Sequence, residues 1–387
     1  MNARNAVALG EVCQIIAGQH IEASLYTNTP CGTPYLTGPA DFGDISPIIT
    51  KWTKHPKVFA LDTDILITVK GAGVGKSNLG CNAAIGRQLM ALRSHSDALD
   101  RAYLFQYIRS KDRFISALAQ GATVPGIVKE DLADLRIPLP PLSEQRRIAD
   151  VLDRAEALRA KRRAALAELD GLADAIFVDL FGDTVKNPRH WATVQIRDIG
   201  DIQGGLQVTT TRSMLQLEIP YLRVANVYRD RIDLTEVKSI RATESEVART
   251  NLAFHDLLIV EGHGNPHEIG RCGLWTNEVS PCVHQNHIIR VRVDNKRVDP
   301  VFSWRYLNST GGRRDLLRAA KTTSGLNTIS VSNVKDASLW LPPLALQQEF
   351  ARRVAAVERL KAVQRASLAE LDALFASLQD RAFRGAL

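Results

Sequence analysis

Cysteine, aromatic residues and long apolar runs are all scarce in this chain. Five cysteines (Cys13, Cys31, Cys81, Cys272, Cys282) are scattered over 387 residues. An odd, unpatterned set argues against a disulfide framework and for free thiols in a reducing compartment. No apolar stretch approaches the roughly 20 residues that a membrane helix needs. Met1 to Gly10 carries one Arg and lacks the apolar core of a signal peptide. The chain therefore reads as cytoplasmic, without a membrane partner. Catalytic signatures are missing as well. Neither a cofactor loop nor the Asn/Asp-Pro-Pro-aromatic motif of adenine methyl transfer is present; Asn187-Pro-Arg and Asn265-Pro-His do not match. Helicase motifs and a readable Ser/His/Asp grouping are absent too. The chain is expected not to be an enzyme, with any catalysis residing in partners.

Two segments approach a known site and miss it. Gly71-Ala-Gly-Val-Gly-Lys-Ser77 is close to a phosphate-binding loop, but that pattern needs a glycine five residues before Gly75, where Lys70 stands. It reads as a flexible basic loop. His263, His267, Cys272, Cys282, His284 and His287 crowd into 263–287. Their spacings fit no recognised zinc finger, and the first half of the chain has no counterpart. Ordinary loop and core histidines are expected there, and no metal.

What the sequence does contain is a repeat. Residues 140–182, beginning PPLSEQRRIADVLDRAEALRAKRR, recur 202 positions later as PPLALQQEFARRVAAVERLKAVQR, and 17 of 43 positions are identical. Shared Ala and Leu content would not keep the prolines, the Gln145/Gln347 pair and both LAELD strings in register. Weaker likenesses precede each copy: Val7–Gly18 resembles Val194–Gly205, and Pro34-Tyr-Leu matches Pro220-Tyr-Leu. The chain thus reads as globular–helix–globular–helix, with divisions at 1–141, 142–182, 183–341 and 342–387.

Both repeat copies carry heptad patterning. In the first, Ile148, Val151, Ala155 and Leu158 are followed by Ala165, Leu169, Leu172 and Ile176, with Leu152, Leu166, Ala173 and Leu180 widening the stripe. Phe350, Val354, Val357, Leu360, Leu368, Leu371, Leu374 and Leu378 follow in the second. Ser143 is placed to cap the first helix. Folded back on one another, the helices would form an antiparallel, pseudo-twofold coiled coil. Arg162 and Gln364, equivalent across the repeat, would then meet as a polar layer fixing register. Periodicity alone also allows two unrelated helices, each capping its own domain. Net charge is +7, and it lies mainly outside the rod: −1 for 142–182 against +2 for 1–141 and +4 for 183–341. That permits a nucleic-acid partner without proving one. Within the globular units, Ile65–Val69, Leu257–Val260 and His287–Val293 read as strands, and Ala102–Gln120 and Val301–Ala320 as helices. The fold class is α+β with a substantial sheet in each unit.

The string IPLPPLSEQRRIADVLDRAEALRAKRR, followed by AIFVDLFGDTVKNPRHW at 175–191, resembles the specificity subunits of type I restriction–modification enzymes. The second copy departs at Ala345 and Leu346, which replace Ser143 and Glu144, and in the degeneration of AIF…FGD to SLQDRAFRG. The resemblance implies two target recognition domains, each reading half of a bipartite site in double-stranded DNA. It implies helices that set the spacing and hold two methyltransferase subunits, with restriction and translocase subunits docking on that assembly. S-adenosylmethionine, ATP and Mg are then expected on the partners and no cofactor on this chain. Gly-rich loops bearing Lys, Arg, Asn or Thr are the natural DNA contacts: Lys70, Lys76, Asn78, Arg87 and Thr123 in the first unit, and Arg223, Asn226, Asn265, Arg271, Thr323 and Asn327 in the second. The competing reading is a protein-interaction adaptor on a helical rod that binds no DNA.

Overall fold

The heptad segments fold as continuous helices, Leu142–Phe181 and Leu344–Arg384, each about 60 Å long at 1.5 Å per residue. The computed structural model describes residues 6–121, 124–323 and 326–387. It divides into two units, Met1–Ala164 with Arg365–Leu387, and Ala165–Gln364. Each unit therefore holds one globular domain, half of the helix that follows it, and the opposite half of the other helix. Within each unit the two helix halves run antiparallel. Arg159 meets Asp372 at 2.6 Å in the first, and Lys361 meets Asp170 at 2.8 Å in the second.

Burial selects one strict 4-3 row on each helix. It runs through Ile148, Leu152, Ala155 and Arg159, and through the positions 202 later, Phe350, Val354, Val357 and Lys361. The sequence stripe was thus one position off in part. Leu158, Leu172, Leu360 and Leu374 are not in the seam but 52%, 40%, 46% and 50% exposed, because a 3.5-residue repeat leaves room for one row only. The seam also takes more charge than Arg162 and Gln364. Arg159 lies on it, stacked 4.4 Å from the Phe375 ring centroid, and Lys361 occupies the equivalent place. Their partners, Asp372 and Asp170, are the aspartates of the two LAELD strings, which explains why the repeat retains them. Arg162 and Gln364 are half-buried and lie one in each unit. Ser143 does not cap: the helix begins at Leu142, and the Glu144 and Gln145 amides donate to Pro141 O.

The first domain is organised by a four-stranded antiparallel sheet. Its strands β1 (Cys13–Ala17), β2 (Ile65–Thr68), β3 (Ser77–Leu79) and β4 (Leu89–Ser94) lie in the order β1-β4-β2-β3. The second domain repeats it with β5 (Gly200–Gly204), β6 (Leu257–Val260), β7 (Cys272–Leu274) and β8 (Ile288–Val293), ordered β5-β8-β6-β7. Each domain adds a sheet with one parallel pair, Thr33–Leu36 with Ala83–Ile85 and Leu217–Leu222 with Val283–His284. The related glycines Gly18 and Gly205 end β1 and β5. A β-carbon there would lie 2.2 Å from Gly86 O, or 2.3 Å from His284 O, so the chains can pass only without side chains. The bidentate ion pair of Arg93 with buried Asp64 recurs as Arg292 with buried Asp256. The expected long helices near each domain's end are broken, into Arg101–Ser110 and Asp112–Ala117, and into Pro300–Asn308 and Arg314–Ala319. The Ser110 and Ser309 hydroxyls bond back to the Tyr107 and Tyr306 carbonyls at the breaks, and Gly311-Gly312 follow the second.

An equivalent buried amide joins domain to helix in each unit. Asp100 caps Arg101–Ser110, accepting from the Ala102 and Tyr103 amides, and Asp299 caps Pro300–Asn308 likewise. Gln145 Oε1 accepts from the Asp100 amide at 2.8 Å, while its Nε2 donates to Pro140 O and Ala98 O, both at 2.7 Å. Gln347 does the same with the Asp299 amide and Pro342 O. Both glutamines are fully buried. Aromatic packing seals the junctions: Phe181 against Phe302 at 4.7 Å in one unit, and Phe383 against Tyr107 at 5.4 Å in the other. Phe383 thus keeps the place of Phe181 although the surrounding motif degenerates.

Gln145→Leu and Gln347→Leu should each cost about 2–4 kcal/mol in urea unfolding, since each strands buried amide and carbonyl groups. A loss below about 0.5 kcal/mol would show that the amide does not hold the junction.

Candidate nucleic-acid interface

Three connections meet at one end of the four-stranded sheet in each domain. In the first they are the β2–β3 loop at 69–76, the turn at 86–88 and the segments 119–121 and 124–127. The Val69 amide donates to Gln88 O, and Lys70 and Gln120 both bridge to Gly126. In the second they are 261–271, 285–287 and the segments 320–323 and 326–329. The Glu261 amide donates to His287 O, and the strand Gly262–His263 pairs with Leu326–Thr328, which pairs with Lys321–Thr323. Hairpin geometry forces this convergence, because β4 and β8 start where β2 and β6 end.

The sequence nominees divide sharply. Lys70, Lys76 and Arg87 all stand exposed at this end of the first domain. Asn265 is exposed at the corresponding end of the second, with its side chain accepting from the His267 amide. Asn327 pairs with His263 in the backbone ladder, and Thr323 ends the neighbouring strand. Thr123 lies outside the described residues. Four others face inward. Asn78 is 1% exposed and donates to Gly43 O. Asn226 is 3% exposed; its Oδ1 accepts from the Arg223 amide and its Nδ2 donates to Asp233 O and Glu236 O. Arg223 pairs with Glu236 at 2.9 Å. Arg271 pairs with Glu268, donates to Val224 O and lies over the Tyr228 ring. These four fasten loops from within. Composition marked them as donors, but only tertiary contacts decide where donors are used.

The loop at 71–77 leads into a strand, so no helix N-terminus awaits a phosphate there. Of the His/Cys cluster, Cys272, Cys282 and His284 are buried, and burial pushes both thiols up, Cys282 to about 12. All five cysteines are free. Among the described residues no three His, Cys, Asp or Glu side chains form a metal-holding group. His287 instead pairs through Nδ1 with Glu261 at 3.1 Å, at the loop end itself. Sequence reasoning missed Glu261 and Lys321 there. The signal for Lys321 was its place immediately before the Thr-Thr pair already nominated.

Residues 4–168 match the type I restriction modification DNA specificity domain. The EcoKI specificity subunit of Escherichia coli K12 is 27% identical over 70% of this chain, a match that spans 62% of that subunit's length. The MjaVIII specificity subunit of Methanocaldococcus jannaschii is 22% identical over 93% of this chain and 87% of its own. This chain is thus similar to type I restriction–modification specificity subunits, with the family match confined to its first domain and the first part of the helix that follows. In fold it is similar to the S subunit of a type I system from M. genitalium, with a TM-score of 0.60, 17% identity and coverage of 99% of this chain and 97% of that one. No helix among the described residues is long and apolar enough to cross a membrane.

Beneath the second loop end lies His284, fully buried. Its Nδ1–H donates to Ile288 O, and burial lowers its pKa to about 4. The unfolded chain, with an ordinary histidine near 6.5, binds this proton first, so stability is fully present above about pH 6.5 and is lost as pH falls toward 4. Roughly 3 kcal/mol is at stake. Urea unfolding from pH 7 to 4 should show that decline and a shallower one in His284→Gln; equal slopes would remove the assignment.

Proposed function

We propose that this chain is the DNA-reading specificity subunit of a type I restriction–modification enzyme. Each globular domain reads one half of a bipartite duplex site through its three-loop end. The helices fix the distance between the readers. The subunit itself is non-catalytic. Two methyltransferase subunits dock on the helices, restriction and translocase subunits join them, and S-adenosylmethionine, ATP and Mg bind to these partners. The observation that carries this reading is the duplication of one loop end on two domains, each clamped to a helix by an equivalent buried glutamine. Two readers held at fixed separation are what a split site requires.

A docking surface for two like partners is supported by the exposed leucines. Leu158 and Leu360, and again Leu172 and Leu374, are equivalent across the repeat and stand about half exposed. Leu158→Glu with Leu360→Glu should abolish co-purification with the co-expressed methyltransferase and leave the thermal midpoint within about 2 °C, as expected for surface substitutions. Unchanged co-purification would move the docking site elsewhere.

Lys70→Ala, Lys76→Ala and Arg87→Ala should each weaken DNA binding across all sequences. Each should reduce the slope of log affinity against log salt by about 1, as loss of one phosphate contact does. Salt-independent binding would favour the adaptor reading. The decisive test is methylation sequencing of cells carrying the methyltransferase with and without this chain. A split motif that appears only with the chain supports the proposal; an unchanged methylome beside a stable complex overturns it.

A further inference from the structure

The two domains treat one equivalent place in opposite ways. In the second it is filled by the domain's own side chains. Arg229 and Arg313 both donate to His267 O, Arg271 pairs with Glu268, and Trp304 Nε1 donates to Arg229 O and Cys272 O. The counterparts follow from the shared scaffold. Arg229 lies two residues after the bridge residue Val227, as Asp44 follows Phe42. Arg313 precedes buried Leu316 by three, as Asp112 precedes buried Ile115. Arg271 and Lys76 each precede the sheet's last strand. Two guanidinium groups of the second domain are therefore replaced by carboxylates in the first.

There the place is an open cleft of about 430 Å³. Asp44, Asp112, Lys76, Arg109 and Asn78 line it, with the rings of Phe42 and Phe375. Neither carboxylate forms a salt bridge with either cation among the described residues. Asn78 is 1% exposed; its amide nitrogen is used within the chain, and its Oδ1 has no hydrogen-bond partner. Of the described residues that line this cleft, Asn78 alone has a buried polar side-chain atom without a partner; it is an acceptor, and an acceptor calls for a donor. Asp112 lies close against Gly75, where a β-carbon would meet its Oδ1 at 2.5 Å. Lys76 is exposed and free to swing outward, whereas Arg109 stacks over Phe105 at 5.5 Å.

We infer that this cleft is a binding site for a cationic hydrogen-bond donor, the guanidinium or ammonium group of a basic side chain on a protein partner. The group occupies the place that Arg229 and Arg313 fill internally in the second domain. Its charge faces Asp44 and Asp112, its N–H meets Asn78 Oδ1, and Phe42 and Phe375 flank its alkyl stem or plane. Phe375 and Gln379 belong to the second long helix, so the site opens beside the helical surface. On the proposed function the partner is the methyltransferase subunit; only this last identification rests on that reading.

The site is tested on the full chain with arginine amide as probe and glycine amide, which lacks the side-chain cation, as control, by calorimetric titration. Saturable millimolar binding of arginine amide alone is expected, at least tenfold weaker in Asp44→Asn/Asp112→Asn and in Asn78→Leu. Circular dichroism melts serve to confirm folding, and the Asp double variant guards against a folding defect in the Asn78 variant. Absence of binding to the folded wild-type chain, or equal binding by the double variant, overturns the site. Weaker assembly of the double variant with the methyltransferase assigns the cation to that subunit. Unaltered assembly, with looser arginine-amide binding, rejects that source. Tighter duplex DNA binding by the double variant, with arginine amide indifferent, identifies the cleft as a phosphate-repelling wall and sinks the proposal.

Discussion

Each domain is coupled to its rod by an equivalent buried glutamine amide. A glutamine five residues after the start of the Pro-Pro pair reaches from the first turn of a long helix. It meets the backbone amide of the aspartate that caps the domain's own helix. Neither group has water as an alternative, so hydrogen-bond geometry, together with the packing around it, fixes the angle between domain and helix. The short ribbons Ala6–Ala8 with Arg136–Pro138 and Thr193–Gln195 with Ser338–Trp340 bring each domain's two ends together just before the clamp. The aromatic contacts of Phe181 and Phe383 then close it. A reader whose target must be met at a defined separation depends on such rigidity.

The helix pair adds specificity of a different kind. A wholly apolar seam would tolerate sliding by a heptad. Arg159 with Asp372, and Lys361 with Asp170, place charge on the seam where a slip would leave it unpaired. Partly exposed pairs of this sort contribute little to net stability, and their value lies in excluding other registers. Since the two pairs are equivalent across the repeat, duplication carried the device into both units unchanged in chemistry, with lysine standing for arginine.

Duplication preserved the scaffold and released the surfaces. The ion pairs Asp64–Arg93 and Asp256–Arg292, the close approaches at Gly18 and Gly205 and the glutamine clamps are the same in both domains. The loop ends differ: lysines and an arginine in one, histidines, asparagine and Glu261 in the other. On the proposed function, this is the pattern expected of two readers that share a frame and face different sequences. It also exposes the cleft lined by Asp44 and Asp112, where one copy supplies its own cations and the other does not.

The sequence by itself determined the duplication, the two long helices, the α+β class and the family resemblance. These rest on local periodicity and on strings whose register survives without knowledge of the fold. It also located the loops that converge, since glycine and basic residues mark chain that must turn and meet an anion. Only the tertiary structure decided which row of each helix is buried. A stripe two residues wide satisfies the heptad in sequence, and only the facing helix chooses between Leu152 and Val151, or seats Arg159 and leaves Leu158 outside. It decided, too, that Asn78, Asn226, Arg223 and Arg271 spend their hydrogen bonds inside the chain. A donor's sequence neighbours do not reveal which acceptor lies across the fold, and for these four the acceptors lie from one to 47 residues away.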